Sequence, residues 1–369
     1  MIAIDGRFIV KDISGIGRYS LGLLKGIASL DPPTKISVFI NNSTIIPENI
    51  INARCFDFIE LREDVKKLAN QIILPKLLDR YHVKIYHVPD GFASVLPTRA
   101  RLVLTIHDLI PIRCRKMLWS SKKVLLLPLW SRWLKVQCIK ASAIITVSEH
   151  SKKDIIDLMN TSEQKIHVIY NGITINEEKI NKKKIIEKYN ISNNIILYVG
   201  RFDPYKNLVI LIDAFNQLIK FYPDVTLILA GKLDMRYPET IDRVKQLKLK
   251  QKVLFTGNVD DEELASLYAV SSVFIFPSLY EGFGFPSLEA MKYGVPVISS
   301  NRTCLTEVLD DAAFFINPTS STEIAESLLK VLTDKELRNV LISKGKDRAN
   351  IFTWEKCADK HLKLYEILS

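Results

Sequence analysis

Pro277-Ser278-Leu279-Tyr280-Glu281-Gly282-Phe283-Gly284-Phe285-Pro286-Ser287-Leu288-Glu289-Ala290-Met291-Lys292-Tyr293-Gly294-Val295-Pro296-Val297-Ile298 decides how this 369-residue chain folds. It reads as a strand end, a glycine loop, a short helix and a second strand. Val273 to Phe276, just before it, is an apolar β-favouring run, and Val295 to Ile298 starts the next buried strand. Gly282 and Gly284 fall in the loop, where backbone can approach a ligand closely. Pro286 suits the first turn of a helix and Gly294 its C-terminal stop. Glu281 falls in the loop and Glu289 in the expected first turn. A helix N-terminus is an anion site. A carboxylate on each side of it suits a ligand with a phosphate in the middle and hydroxyls at both ends, the layout of a nucleotide-sugar.

Upstream, Ile195 to Gly200, Leu227 to Gly231 and Val253 to Gly257 read as further strands. Asn207 reads as the N-cap of a helix from Leu208 to Phe221. Arg201 and Lys206 follow the end of the first of these strands. Arg is a fork and Lys a point charge for phosphate oxygens, although both types also serve as surface ion-pair partners. With the helix start they fit a pyrophosphate leaving group whose charge grows during glycosyl transfer. No D-x-D stands on a strand-end loop, so no metal is expected and the cations take its place. Asp260-Asp261-Glu262-Glu263 reads as an acidic helix start.

The first half repeats the alternation. Met1 to Asp5 is a strand, Ser14-Gly15-Ile16-Gly17-Arg18-Tyr19-Ser20 a glycine loop, and Leu21 to Leu30 a helix. As a dinucleotide fingerprint the loop is incomplete, because Ser20 stands where a third glycine belongs. His107-Asp108 ends the apolar strand Leu102 to Ile106; strand ends are where open α/β sheets bind ligands, and a backbone-capping turn residue is the plainer alternative. Ser151 reads as the start of a capped helix. The expected organisation is α/β with two parallel-sheet domains facing across a cleft: residues 1–175, residues 176–350, and a terminal helix over 351–369.

The net charge of +10 lies entirely in residues 1–170, which hold 25 Lys+Arg against 15 Asp+Glu; the remainder holds 26 of each. No carboxylate occurs between Asp108 and Glu149, a segment carrying Trp119, Lys122, Lys123 and Trp130. Trp beside Lys and Arg suits an anionic membrane surface, and a helix packed on its own domain with snorkelling lysines is the alternative. No apolar run reaches a membrane span, no secretory signal is evident, and five scattered cysteines form no metal or disulfide pattern. The expectation is a cytoplasmic protein lying peripherally on the membrane. A pI of about 9.2 also admits nucleic-acid binding, but no motif for it is present.

Gly200 to Asn207, together with Glu281 to Pro286 and Glu289-Ala290-Met291, resembles the retaining glycosyltransferases of family four. The resemblance covers nearly the whole chain. Glu281 and Glu289 match the family's E-x7-E, His107 its strand-end histidine, and Gly15 and Gly17 its N-terminal glycine loop. Ser14 to Tyr19 with His107 to Pro111 is most similar to mannosyltransferases of bacterial O-antigen and surface-polysaccharide pathways. The resemblance implies the GT-B fold, two Rossmann-like domains with the active site between them. It implies that Arg201, Lys206, Gly15, Gly17, Phe283 and Gly284 bind the donor pyrophosphate, and that Glu289 holds the ribose. Glu281 and His107 would contact the transferred sugar, and backbone at Gly257, Asn258 and Val259 would read the base. The expected reaction is metal-independent, retaining transfer of mannose from GDP-mannose to a lipid-linked glycan. Another donor base, or nucleotide-sugar epimerisation on the same fold, is the alternative.

Overall fold

The computed structural model describes residues 1–10, 15–61, 68–91, 98–118, 126–175, 177–191 and 194–369. They form two compact units: Met1–Ile112, Leu125–Gly172 and Phe352–Ser369 in one, Arg113–Val124 and Ile173–Ile351 in the other.

The first unit runs β1 (Ile2–Asp5), α1 (Gly15–Leu30), β2 (Ile36–Ile40), α2 (Glu48–Ile51), β3 (Phe56–Glu60), α3 (Leu68–Arg80), β4 (Ile85–Val88) and β5 (Arg101–Thr105). The short α4 (Ile110–Arg113) follows β5, then α5 (Leu127–Lys140), β6 (Ala143–Thr146), α6 (Glu149–Met159) and β7 (Ile166–Val168). The described strands make one seven-stranded sheet in the order β3-β2-β1-β4-β5-β6-β7, and every pairing between them is parallel. Helices cover such a sheet on both faces, so its strands read as apolar runs. The order reverses between β1 and β4, which opens a crevice at their carboxyl ends.

The second unit contains α7 (Lys182–Tyr189), β8 (Asn194–Val199), α8 (Leu208–Leu218), β9 (Val225–Ala230), α9 (Glu239–Gln246), β10 (Val253–Gly257) and α10 (Asp261–Val270). It continues through β11 (Val273–Phe276), α11 (Phe285–Lys292), β12 (Val297–Ser300), α12 (Leu305–Leu309), β13 (Phe314–Ile316), α13 (Ser321–Thr333) and α14 (Lys335–Ile351). Its strands form a parallel sheet in the order β10-β9-β8-β11-β12-β13, the Rossmann order with its switch point between β8 and β11.

The last helix, α15 (Trp354–Ile367), belongs to the first unit and packs along α1. Two glycines allow the approach: a Cβ on Gly22 would run into the Trp354 indole, and one on Gly26 into the Trp354 carbonyl.

Two local expectations change. Gly15 and Gly17 are helical, within α1, rather than in a loop before it. α6 starts at Glu149 because Ser148, not Ser151, is its cap, with the Ser148 hydroxyl accepting from the Ser151 N–H. Trp119, Lys122 and Lys123 lie outside the described residues. Trp130 is half-buried and packs against the first unit's core on the α5 face that buries Leu127, Leu134 and Cys138. That spacing is one apolar stripe of a helix.

Candidate active site

In the second unit the polar groups gather at the carboxyl ends of β8 and β11, on either side of the switch point. Lys206 closes the turn after β8 and Glu281 stands in the loop after β11. The Lys206 Nζ lies 2.6 Å from Glu281 Oε1, with side chains only 11% and 8% exposed. The ammonium also lies 5.1 Å from the Phe276 ring centre and 5.3 Å from that of Tyr205, within cation–π range. The Glu281 backbone is held at both ends. Its N–H donates to Thr303 Oγ1 at 3.1 Å, and its carbonyl accepts from the Cys304 thiol at 3.2 Å. Thr303 sits at a φ of 54°, a left-handed conformation that is strained for a β-branched residue.

Arg201 is turned elsewhere. Its guanidinium grips Asp203, with Nε 2.9 Å from Oδ2 and Nη2 3.2 Å from Oδ1, and its side chain is 67% exposed. The Tyr198 hydroxyl donates to the Arg201 carbonyl at 2.7 Å, and burial beside Glu281 and Asp203 pushes that phenol's pKa up. Asn207 does not cap α8 with its side chain. Its backbone is left-handed, at a φ of 64°, and its amide donates to the carbonyls of Pro277 at 3.2 Å and Pro318 at 2.6 Å. It therefore ties the β8 loop to the β11 loop.

α11 begins at Gly284, whose φ of 93° favours glycine and where no side-chain hydrogen bond caps the helix. Counting from Phe285, Glu289 is the fifth helical residue. It therefore lies in the second turn, beyond the first-turn reach of an ordinary N-terminal acid. Glu289 is buried, and its Oε2 accepts from the Tyr268 hydroxyl at 2.9 Å. Tyr268, on α10, is stacked on Tyr293. The Phe283 ring is buried edge-on against Phe285, so the loop offers main chain at that point. Gly257 ends β10 at a φ of 70°, and Asn258 and Val259 lead to Asp260, which caps α10 by accepting from the Glu263 N–H at 2.8 Å. Glu262 and Glu263 pair with Lys184 and Lys188 of α7 at 2.7 and 2.6 Å, so the acidic run is used in a cap and in ion pairs.

In the first unit His107 follows β5, beside the switch-point strand β4. Its Nε2 lies 3.0 Å from the Pro89 carbonyl. A carbonyl only accepts, so Nε2 carries the hydrogen and Nδ1 is the ring's acceptor. Burial pushes the imidazole's pKa down to about 4, which keeps it neutral at pH 7. Gly15 and Gly17 lie in α1, the helix that follows β1. Thr303, Tyr268 and Tyr198, which hold the motif residues, were not singled out from the sequence. Thr303 and Tyr268 reach their partners through the tertiary fold, and Tyr198 sits in a strand that resembles ordinary core.

Comparison with known proteins identifies the family. The family model for group 1 glycosyl transferases matches residues 179–348, and that for glycosyltransferase family 4 matches residues 13–177. The chain is 30% identical to an O-antigen chain mannosyltransferase B of Escherichia coli, over 96% of this chain and 97% of the relative. It is 31% identical to an MMP alpha-(1->4)-mannosyltransferase of Mycolicibacterium hassiacum, over 75% and 67%. HepE of Anabaena, solved with UDP and glucose, has the same fold, with a TM-score of 0.76 at 20% identity over 99% of both chains. The chain belongs to the family-four glycosyltransferases of GT-B fold and is similar to the O-antigen mannosyltransferases.

Proposed function

We propose that the chain is a retaining, metal-independent mannosyltransferase that moves mannose from GDP-mannose to a lipid-linked glycan during surface-polysaccharide assembly, working peripherally at the cytoplasmic face of the membrane. The observation that carries the reading is the buried Lys206–Glu281 pair beside the uncapped start of α11. Lys206, Arg201 and the α11 N-terminus supply the positive field a departing pyrophosphate needs, which is the service a metal would otherwise give. The amides at Gly15, Gly17 and Gly284, with the Phe283 main chain, complete the phosphate contacts. Glu289 takes the ribose hydroxyls, and backbone at Gly257, Asn258 and Val259 reads the base. The mannosyl assignment is supported by the names of the relatives.

Retention follows from same-face attack. The acceptor hydroxyl approaches on the side the phosphate leaves, and a phosphate oxygen takes its proton. Glu281 stabilises the oxocarbenium-like sugar rather than attacking it, because Lys206 already occupies one of its oxygens. The neutral Nδ1 of His107 accepts from a sugar hydroxyl.

The test is a thermal-shift screen of nucleotide-sugars followed by a transfer assay. GDP-mannose should raise the melting temperature by mass action and give radiolabelled lipid-linked product. Stabilisation by a UDP-sugar alone would reassign the donor. Conversion of the donor without any acceptor would reassign the reaction to epimerisation. Undiminished turnover in both Lys206→Ala and Glu281→Ala would remove the site.

A further inference from the structure

The first unit contains a buried chain of hydrogen bonds that the reaction above does not use. His361 and Tyr365 of α15, His87 of β4, Thr105 of β5 and Tyr19 of α1 are all fully buried. The Tyr365 hydroxyl lies 2.6 Å from His87 Nδ1, and His87 Nε2 lies 2.7 Å from Thr105 Oγ1. Thr105 Oγ1 lies 3.1 Å from the Tyr19 hydroxyl, and Tyr19 lies 2.7 Å from His361 Nε2. His361 Nδ1 lies 2.8 Å from the Cys357 carbonyl.

With both imidazoles neutral, donor and acceptor counting fixes every hydrogen in this chain. The Cys357 carbonyl can only accept, so His361 carries its hydrogen on Nδ1. Its Nε2 is then an acceptor, and Tyr19 donates to it. Thr105 must donate to Tyr19, because the Tyr19 hydrogen is committed. Thr105 therefore accepts from His87 Nε2–H, and His87 Nδ1 accepts from Tyr365. The chain then runs one way. Burial favours the neutral imidazoles: it pushes the pKa of His361 down to about 4 and that of His87 well below its usual value.

The chain's output is the Tyr19 ring, which meets His107 edge-on, with ring centres 4.7 Å apart and planes at 80°. Among the described residues His107 has one ring hydrogen bond, to Pro89, and its backbone carbonyl accepts from the Ser151 hydroxyl at 3.2 Å. A single bond at Nε2 leaves the imidazole free to swing about that contact, and the Tyr19 edge closes off the swing. We infer that Tyr19 is a positioning residue for His107, held in place by His361 of the terminal helix and by Thr105, so that α15 sets the orientation of the imidazole. The inference rests on His107 touching the transferred sugar.

The experiment uses the full chain labelled with 15N-histidine, read by long-range N–H correlation, beside release of GDP from GDP-mannose in the presence of acceptor lipid. The expected tautomers are Nδ1–H for His361 and Nε2–H for His87 and His107. Tyr19→Phe keeps the ring and removes the hydroxyl. It should shift and broaden the His107 signals and lower kcat roughly tenfold at unchanged donor KM. His361→Gln, which retains an acceptor, should keep more kcat than His361→Leu, each assayed well below its melting temperature. An Nε2–H tautomer at His361, or a Tyr19→Phe variant with unaltered His107 signals, overturns the inference. Absence of transfer by the wild type would remove the proposed reaction, and the histidine signals would still decide the positioning.

Discussion

Lys206 Nζ and Glu281 Oε1 meet at 2.6 Å, with both side chains almost entirely buried. Removing one partner strands the other as a buried charge, at a cost of about 3–5 kcal/mol. Lys206→Met should therefore lower the melting temperature and reduce turnover by roughly 10²–10³. Lys206→Arg should rescue little, since a planar fork does not replace a point charge between the Tyr205 and Phe276 rings. The double change Lys206→Met with Glu281→Leu separates the two effects. Its melting temperature should recover towards wild type while turnover stays lost. Recovered turnover would mean the pair is structural only.

The Tyr268 hydroxyl fixes the Glu289 carboxylate from a neighbouring helix. In Tyr268→Phe the ring still stacks on Tyr293, and Glu289 loses one donor. Hydrogen bonds to charged groups contribute about 1.5–3 kcal/mol, so donor KM should rise by roughly 10- to 100-fold. The kcat should hold, because a ribose contact is equally present before and during the reaction. Steady-state kinetics over a range of donor concentrations checks this, and a fall in kcat at constant KM would place Glu289 at the sugar instead.

The alternation of strand and helix was legible because parallel strands buried on both faces leave unbroken apolar runs, as in Val273 to Phe276. Glycine and proline marked where they end. The loop residues of the site were legible for the same reason, since Arg201, Lys206 and Glu281 follow such runs directly. What holds them was not. Thr303 is 22 residues from Glu281 and Tyr268 is 21 from Glu289, and neither spacing has a helical or strand period. Tyr19 and His361 are separated by 342 residues and meet only because α15 belongs to the first unit. The position of Glu289 was misjudged by about one turn, because Pro286 suits either of the first helical positions and leaves the start of α11 open. Composition does not say which side of α5 faces the core.

Acid should unfold the first unit through its buried histidines. His107 and His361 are pushed down to about 4 and His87 well below its usual value, against about 6.5 in an unfolded chain. Between those values the unfolded state binds more protons, so stability falls as pH drops from about 6.5 towards 4. The slope is at most ~1.4 kcal/mol per pH unit for each histidine. Above pH 7 all three are neutral in both states and contribute no slope. Melting temperatures measured from pH 7.5 to 4.5 should show this loss, and His87→Gln should show a shallower one. A flat profile would mean that the histidines titrate normally in the fold.

The outward face of α5 makes the membrane assignment testable without the residues outside the description. Leu126, Leu129, Val136 and Ile139 are 62%, 63%, 40% and 70% exposed, and the exposed Arg132, Lys135 and Lys140 lie among them. The Lys165 ammonium donates to the carbonyls of Ile139 and Ala141 at 3.0 and 3.1 Å and secures the helix's last turn. Apolar side chains interleaved with cations fit the headgroup boundary of an anionic bilayer, where each Lys or Arg contributes about 1 kcal/mol. Reversing Lys135 and Lys140 to Glu should therefore weaken binding to phosphatidylglycerol vesicles by at least roughly 30-fold. Leu129→Ser with Ile139→Ser should weaken it further, and added salt should mimic the charge change. Donor hydrolysis in solution should be unaffected by all four substitutions, because α5 contributes none of the proposed donor contacts. Equal co-sedimentation of wild type and the quadruple variant would leave this face without a role in membrane binding.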